Sequence, residues 1–266
     1  MHPYLFEIPL PGGGTFRLPS YGFMILIGFL VCLYLLQRRG RRMGLDPTVL
    51  FDVAVWTLLG GLAGARVFYV LHHWADYAGR LWHVFFLWEG GLAFFGALIG
   101  GVLGLLAGLW WKRLPFRRTL DVTASLVPLG HAFGRIGCFL NGCCYGKPTD
   151  AWVGVKFPGL PEAVHPTQLY AVGYNLIIFA LLSYLLPRRR RPGEVAWLYP
   201  VFYGTARYFN EFFRGDTQAI SALGGLTVFQ ALCLAAVAFG VVMLALSRRK
   251  PPVPLPEPWT PPEETE

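Results

Sequence analysis

The chain has 266 residues, of which 55% are hydrophobic and 14% are charged, and its formal net charge is +8. This composition excludes an ordinary soluble domain and predicts a polytopic membrane protein. The positive charge does not indicate nucleic acid binding, because most Lys and Arg residues lie in clusters that each follow a hydrophobic stretch. The clusters span residues 38–42, 112–118, 188–191 and 248–250.

Seven hydrophobic stretches are each long enough, at roughly 20 residues, to cross a bilayer as an α-helix. They predict an all-α fold with seven transmembrane helices. The basic clusters follow the first, third, fifth and seventh helices, and the positive-inside rule places these clusters in the cytoplasm. The N-terminus is then outside and the C-terminus is cytoplasmic. The predicted spans are 20–37, 50–71, 84–111, 120–140, 167–187, 194–212 and 222–246.

We expect residues 1–250 to form a single transmembrane helical domain. Within it, the segment at about 141–166 is rich in Gly and Pro, and we expect it to form a small ordered cap on the external (periplasmic) side. Residues 251–266 are rich in Pro and acidic side chains, which predicts a disordered cytoplasmic tail.

The second and third spans carry small residues at four-residue spacing. Gly60 and Gly64 lie in the second span, and the third contains a longer series, Gly96, Gly100, Gly104 and Gly108. Glycines at this spacing let two helix backbones approach closely. They therefore predict a tightly packed pair of helices.

The fourth span places His131 and Arg135 four residues apart, so both side chains lie on one face of a helix. Pro128 precedes them and is expected to kink the helix. The pair is either a polar contact between helices or part of a functional site. Arg66, late in the second span, either contributes to the same site or extends its charge to the membrane interface.

Three cysteines, Cys138, Cys143 and Cys144, follow closely on this motif. A metal site is disfavoured, because the CxxxxCC spacing lacks a second pair of ligands. A disulfide from Cys138 to one of the other two is feasible on an oxidising external face, and a catalytic thiol is also open. We favour a structural disulfide or free packing thiols over chemistry.

The sixth span carries Arg207 and Glu211, and Arg214 follows just beyond it; the three residues have the spacing i, i+4 and i+7, which predicts one shared helix face. Charges at bilayer depth are costly unless they are paired or face a polar cavity. A structural ion pair between Arg207 and Glu211 is one interpretation. The other is that Glu211 orients the guanidinium fork of Arg207 toward a phosphate, and both can hold together. Intramembrane arginines therefore indicate a phospholipid head group as the ligand.

The ordered set of motifs resembles the prolipoprotein diacylglyceryl transferase family over nearly the whole chain except its last twenty or so residues. The most specific blocks are HAFGRIGCFLNGCCYG and HPTQLY. Other blocks follow the same order as in the family. The matching segments are 20–29, 64–70, 88–101, 131–146, 165–170 and 206–216.

This resemblance implies a membrane enzyme that transfers the diacylglyceryl group of phosphatidylglycerol to the lipobox cysteine of a preprolipoprotein and releases glycerol phosphate. It implies the bacterial inner membrane as location, no cofactor and no metal. We expect a monomer whose partners are this lipid and preprolipoprotein signal peptides. The resemblance and the charge pattern together assign Arg135, Arg207, Glu211 and His131 to catalysis. They assign Arg135, Asn141, Gly142, Gly146, Tyr21, Arg66 and Arg214 to the head-group site.

The chain departs from the family pattern at several positions near the site. Phe95 stands where some members carry a His proposed as the base, and Ala171 stands where HPTQLY is usually followed by Glu. Cys138 replaces an Asn of some members, and Cys143 follows the Asn-Gly pair where an acidic residue is common. These changes leave the proton acceptor open.

Two imidazoles, those of His131 and His165, are candidates for the proton acceptor. The alternative is that no dedicated base acts and the positive field lowers the pKa of the substrate thiol.

Other classes of function remain as alternatives. A transporter of lipids or organic anions would use the same arginines, although the sequence shows no convincing internal repeat. A thiol-redox protein would use the cysteine cluster, although it lacks a CxxC pair. A paralogous transferase with another acceptor is also consistent with the departures from the pattern.

Overall fold

The computed structural model describes residues 2–9, 15–86, 90–215, 225–249 and 251–261, and these residues are mostly helical. The chain divides into two compact units. Unit 1 comprises Met1–Leu35 and Leu120–Leu255, and unit 2 comprises Leu36–Thr119 and Pro256–Glu266.

The first element is a β-hairpin, which is the departure from the all-α prediction. Strands β1 (Tyr4–Pro9) and β2 (Thr15–Pro19) pair antiparallel, with Glu7 opposite Arg17. Tyr4, Phe6 and Ile8 lie on one face of β1, since side chains alternate along a strand, and all three stay exposed, with Phe6 at 61%. The ion pair from Arg17 to Glu7 spans 3.5 Å between exposed side chains and contributes little stability.

Nine α-helices follow within the described residues. Local capping explains the start of α2. Asp46 precedes this helix and accepts a hydrogen bond from the Thr48 amide at 2.8 Å, and Pro47 is its first residue. The helices are α1 (Ser20–Arg42), α2 (Pro47–His72), α3 (Trp74–Tyr77), α4 (Phe94–Trp111), α5 (Phe116–Ala124), α6 (Val127–Asn141), α7 (Thr167–Leu185), α8 (Glu194–Glu211) and α9 (Val228–Arg248). Short 3₁₀ turns occupy Leu81–Phe85 and Leu186–Arg188.

Five described helical segments are long and apolar enough to cross a membrane, which agrees with a multi-pass membrane protein. They are Ser20–Arg42, Pro47–His72, Phe94–Trp111, Thr167–Arg188 and Val228–Arg248. The predicted third span starts too early, because α4 begins only at Phe94, after two glycines with positive φ. Residues 87–89 of that span and 222–224 of the seventh lie outside the described residues.

The fourth and sixth predicted spans are not among these five helical segments, and the reason can be identified for each. The fourth is interrupted between Ala124 and Val127, where Pro128 removes a backbone donor from the first turn of α6. The predicted kink at this proline is therefore a complete break. The sixth corresponds to α8, whose 18 residues carry Glu194 as well as Arg207 and Glu211.

Unit 2 is built on the close packing of α2 against α4. A β-carbon added to Gly64 would lie 2.8 Å from the Gly100 α-carbon, and one added to Gly60 would lie 2.5 Å from the Gly100 carbonyl oxygen. Only glycine fits at these contacts. The predicted tight pair of helices is confirmed.

In unit 1, α6 packs on α7, α7 on α8, and α8 on α9. Its core is formed by small and branched apolar side chains, among them Val122, Ala132, Ala171, Ile178, Leu182 and Val195. Helices α8 and α9 approach each other closely, since a β-carbon on Gly204 would lie 2.9 Å from the Cys233 carbonyl oxygen. This series of helices carries the charged residues singled out by the sequence.

A buried carboxylate fixes the start of α8. Asp121, fully buried in α5, accepts hydrogen bonds from the backbone amides of Gly193 at 2.7 Å and Ala196 at 3.0 Å. Its side chain also lies 3.3 Å from the Arg189 guanidinium. The carboxylate therefore satisfies amides at the helix N-terminus that have no intrahelical partner.

The predicted cap, at about 141–166, is an ordered segment without helix or strand. Isolated β-bridges join Val155 to Val164 and Gly146 to Arg214, at the end of α8. Phe157 is 2% exposed and packs against the rings of Phe139 and Tyr145 at centroid distances of 5.7 and 5.4 Å. The cap thus covers the C-terminal end of α6.

The described part of the tail, residues 251–261, has no regular secondary structure. In unit 1, the Val253 amide donates to the Arg190 carbonyl at 3.0 Å. In unit 2, the Trp259 amide donates to the Arg41 carbonyl at 2.8 Å. The predicted disorder of residues 251–266 stays a prediction, and residues 262–266 lie outside the described residues.

Candidate functional site

The pair from the fourth predicted span is formed on α6. Arg135 Nε donates a hydrogen bond to His131 Nε2 over 3.0 Å. His131 Nε2 therefore accepts and carries no proton, which leaves Nδ1 as the position that can hold one. The contact orients the guanidinium of Arg135, while His131 also packs against the Tyr203 ring at 5.4 Å.

The second pair is formed on α8. Arg207 and Glu211, 8% and 3% exposed, make a direct ion pair between Nη1 and Oε2. The second carboxylate oxygen of Glu211 accepts from the Thr227 hydroxyl at 3.3 Å. The guanidinium of Arg207 lies over the Phe229 ring at 5.6 Å. The predicted ion pair is therefore present. Thr227, just before α9, contacts Glu211, and Phe229, in the first turn of α9, contacts Arg207.

Thr227 is positioned by the start of its own helix. Its hydroxyl accepts from the Gln230 amide at 3.1 Å, and the Gln230 side chain accepts from the Thr227 amide at 2.9 Å. This reciprocal capping box fixes the hydroxyl that donates to Glu211. The sequence T-V-F-Q carries the signal of a capping box, although the sequence analysis did not use it.

The two pairs approach each other in unit 1, because His131 packs on Tyr203, which precedes Arg207 by one helical turn. The guanidinium groups of both Arg135 and Arg207 lie close enough to His131 and to Tyr203 to interact electrostatically with them. Tyr203 in turn packs against Tyr174 and Tyr199 at 6.2 and 5.6 Å. These tyrosines on α7 and α8 line the site, and the sequence analysis missed them because aromatic residues are common throughout the chain.

Arg214 lies just beyond α8, with its Nε 4.0 Å from Glu211 Oε2. The bridge between Arg214 and Gly146 brings the cap onto this end of the helix, and the Gly146 amide donates to the His165 carbonyl at 2.8 Å. A β-carbon on Gly146 would lie 2.9 Å from that of His165. Gly146 is thus required for close backbone approach.

The remaining predicted residues of unit 1 lie at the C-terminal end of α6. Gly142 ends the helix with φ of 75°, a left-handed conformation that favours glycine. Asn141 is exposed and interacts with the Cys143 thiol. Tyr21 of α1 packs on Gly137 and interacts electrostatically with Arg135. Of these three residues, Tyr21 therefore interacts with Arg135, whereas Asn141 and Gly142 lie at the C-terminal end of the helix that carries Arg135.

The three cysteines meet at this same helix end. The sulfur atoms of Cys138, Cys143 and Cys144 all lie within 4.8 Å of one another, and each is a free thiol. The favoured disulfide is absent from this structure, while the second favoured state, free thiols, is present. A hydrogen bond from Cys138, together with the guanidinium groups of Arg135 and Arg214, lowers the pKa of the Cys144 thiol to about 5.

Arg66 is in unit 2 and differs from the other arginines. It is 4% exposed, and it donates to carbonyl oxygens of the loop that precedes α4. Its Nε bonds Val84 at 2.8 Å, its Nη1 bonds Gly90 at 2.6 Å, and its Nη2 bonds His83 at 2.5 Å. All three nitrogens are therefore occupied by backbone, which favours a structural role over the predicted head-group role.

The model of the prolipoprotein diacylglyceryl transferase family matches residues 7–246. The chain is similar to proteins named phosphatidylglycerol–prolipoprotein diacylglyceryl transferase from several bacteria. That of Bordetella bronchiseptica is 36% identical over 248 residues, covering 90% of this chain and 94% of the relative. That of Nostoc sp. is 34% identical over 267 residues, covering 95% and 92%, and that of Thermosynechococcus vestitus is 33% identical over 237 residues, covering 85% and 87%.

Proposed function

The chain belongs to the prolipoprotein diacylglyceryl transferase family, and we propose that Arg135 and Arg207 form the site of its reaction. In that reaction, the diacylglyceryl group of phosphatidylglycerol is transferred to the lipobox cysteine of a preprolipoprotein. The cysteine sulfur forms a bond to the glyceryl C3 carbon. The bond from this carbon to the phosphate oxygen breaks, its electron pair stays on that oxygen, and glycerol phosphate leaves.

The observation that carries the assignment is the unused donor capacity of the two arginines. Within the described ranges, the hydrogen bonds of Arg135 end on His131 and those of Arg207 end on Glu211. Each guanidinium has five N–H donors in a planar fork, so both keep donors for a phosphate. Arg207 is almost fully buried and Arg135 is half-buried, and donors that remain at such positions favour an anionic ligand.

The proposed roles follow from the contacts. Arg135 and Arg207 bind the phosphodiester and stabilise the charge that develops on the leaving phosphate. Glu211, itself held by Thr227, orients Arg207, and His131 orients Arg135 through its Nε2. The acceptor peptide brings its own nucleophile, so this site supplies proximity and charge stabilisation.

The finer membrane arrangement is part of the proposal. Helices α6 and α8 complete seven spans in the bacterial inner membrane, with the N-terminus outside, the C-terminus in the cytoplasm, and the chain acting as a monomer. The placement of the basic clusters after alternate spans supports this topology. Reporter fusions ending in each cluster should all report a cytoplasmic location, and an external location for any of them would contradict it.

The reaction itself is tested with purified protein, phosphatidylglycerol and a lipobox peptide, and mass spectrometry of the peptide reports the diacylglyceryl adduct. Arg135→Ala and Arg207→Ala should each lower the rate by about 100-fold or more, the usual effect of losing a donor to a developing oxyanion. Arg248→Ala, an exposed arginine at the end of α9, is the matched control. Rates within tenfold of the wild type for both variants would reject this site.

A further inference from the structure

A cavity of about 760 Å³ lies in unit 2, where α4 ends and the chain turns into α5. Its walls are mainly apolar side chains, among them Leu106 and Trp110 of α4 and Phe116, the first residue of α5. Pockets that bind small molecules have volumes of roughly 300–1,000 Å³. This cavity can therefore hold a substantial part of a ligand.

One cation lines this apolar cavity. Among the described residues of its wall, Arg113 is the only charged one. The preceding residue of the same basic cluster, Lys112, is already paired, because its ammonium lies 2.5 Å from the Asp52 carboxylate. The Arg113 guanidinium has no such partner among the residues that the structure describes. Its charge and its planar fork of donors are therefore available to an anion.

The backbone of Arg113 adopts a conformation that favours glycine. Its φ is +51°, in the left-handed region. The turn is closed by the Leu114 amide, which donates to the Leu109 carbonyl at 3.1 Å, and glycine is the usual residue at such a helix end. A side chain at this position destabilises the backbone, and conformations of this kind are concentrated at ligand sites. An arginine in place of glycine therefore indicates that the side chain has a function.

The aromatic residues around the cavity indicate its depth in the membrane. Trp110 and Trp111 are both largely exposed at the end of an apolar helix, and the ring of Trp111 stacks on that of Trp56 from α2 at 6.1 Å. Tryptophan is enriched at the boundary between the bilayer and water. The cavity therefore lies at the level of the lipid head groups, on the side of the membrane where the basic cluster 112–118 lies.

The chemistry of the walls selects the ligand. An occupant at this depth presents acyl chains to the apolar walls and an anion to Arg113. An acidic phospholipid does both, whereas the head group of phosphatidylcholine adds a cation that Arg113 repels. A soluble phosphate compound would leave the apolar walls without a partner. Basic pockets at the cytoplasmic ends of membrane helices bind acidic head groups for the same reason.

We propose that this cavity binds one acidic phospholipid of the cytoplasmic leaflet, with its phosphate on Arg113 and the upper part of an acyl chain against Leu106 and Trp110. The proposal depends on the membrane topology given above and not on the transfer reaction. The lipid is a bound ligand in unit 2, whereas the arginines proposed to act on the lipid donor, Arg135 and Arg207, belong to unit 1. The bound lipid neutralises Arg113 and stabilises the turn between α4 and α5.

The test titrates delipidated full-length protein with phosphatidylserine or phosphatidylcholine of identical acyl chains and counts the bound lipids by native mass spectrometry. Arg113→Gly is the decisive variant, because glycine suits the backbone at this position. It should lower the affinity for one phosphatidylserine by about tenfold or more, the usual effect of losing a charge-assisted hydrogen bond. The melting temperature of the lipid-free variant should equal or exceed that of the wild type, so misfolding cannot account for the loss.

Two controls separate this site from other sources of lipid binding. Arg248→Ala removes an exposed arginine from another basic cluster, and Arg135→Ala alters the proposed donor site. Both should leave the affinity of this phosphatidylserine within about twofold of the wild type, since neither residue lines the cavity. An equal loss of binding in Arg113→Gly and Arg248→Ala would show general attraction to the basic clusters and would overturn the proposal.

A variant that fills the cavity tests the apolar half of the site. Leu106→Trp leaves every charge in place and occupies the space that an acyl chain would take. It should also lower the affinity for phosphatidylserine by about tenfold, because the lipid loses its apolar contacts. Wild-type affinity in either Leu106→Trp or Arg113→Gly, or equal affinity of the wild type for the two lipids, would refute an acidic-lipid site in this cavity.

Discussion

Removing the Asp121 carboxylate should destabilise unit 1 at the start of α8. In Asp121→Ala, the amides of Gly193 and Ala196 lose their acceptor, and the carboxylate that faces Arg189 is gone. The Asp121 side chain is fully buried, and that of Arg189 is only 4% exposed. Water therefore replaces neither contact well, and the change acts on the helix that carries Arg207.

The magnitude follows from the burial of this pair. Removing one partner of a buried ion pair costs about 3–5 kcal/mol, because the other charge stays behind. The unsatisfied amides act in the same direction and are not simply additive. At about 2–4 °C per kcal/mol for a chain of this size, the melting temperature should fall by about 6–20 °C. Asp121→Asn keeps an acceptor oxygen and should fall between this variant and the wild type.

Thermal unfolding of the purified protein, followed by tryptophan fluorescence, measures this loss. The matched control is Asp52→Ala, which removes the carboxylate 2.5 Å from Lys112. Both side chains of that pair are about one third exposed, so its loss should cost only about 0–1 kcal/mol. Equal melting temperatures for the two alanine variants would show that the buried Asp121 carboxylate stabilises the fold no more than an exposed ion pair does, and would refute this reasoning.

Three further predictions concern other residues. Glu211→Gln should keep the contact to Thr227 yet lower the transfer rate, because a neutral amide no longer orients Arg207; an unchanged rate in the mass-spectrometric assay would refute this. Arg66→Ala should speed proteolysis within the loop that precedes α4, where its carbonyl partners lie, and leave the affinity for phosphatidylglycerol within about threefold. Gly64→Ala should lower the melting temperature by the equivalent of about 1–3 kcal/mol through overpacking, whereas Gly22→Ala, with nothing within 4 Å, should not.

The fold could be predicted from the sequence where a pattern has one structural consequence. Apolar stretches of sufficient length gave the five membrane helices, and glycines at fixed spacing gave the close contact of α2 and α4. The break before Val127 could not be placed, because Pro128 is compatible with a kink, a first-turn position or an interruption. The hairpin at the N-terminus was missed because its strands are short and their apolar side chains stay exposed.

The site could be predicted in part, because charged residues in apolar sequence are rare enough to stand out. Their spacing identified the pairs on α6 and α8, and the structure brings both pairs near Tyr203. Asp121 and Thr227 were not found, since neither follows a periodic pattern and their partners are distant in sequence or in another helix. Long-range contacts of this kind become visible only when helices are packed.

The arginines show why a residue type alone does not define a binding site. Arg66 and Arg207 are both almost fully buried, at 4% and 8% exposure, and both follow small or aromatic apolar residues in sequence. The two residues differ in the number of hydrogen-bond acceptors around the guanidinium. Arg66 donates to several backbone carbonyl oxygens of a loop, whereas Arg207 contacts one carboxylate and an aromatic ring. A guanidinium saturated by backbone has no donor left for a phosphate, so it stabilises a loop. A guanidinium that keeps donors in an apolar bundle favours an anionic partner, and we propose that the partner of Arg207 and Arg135 is a phospholipid head group.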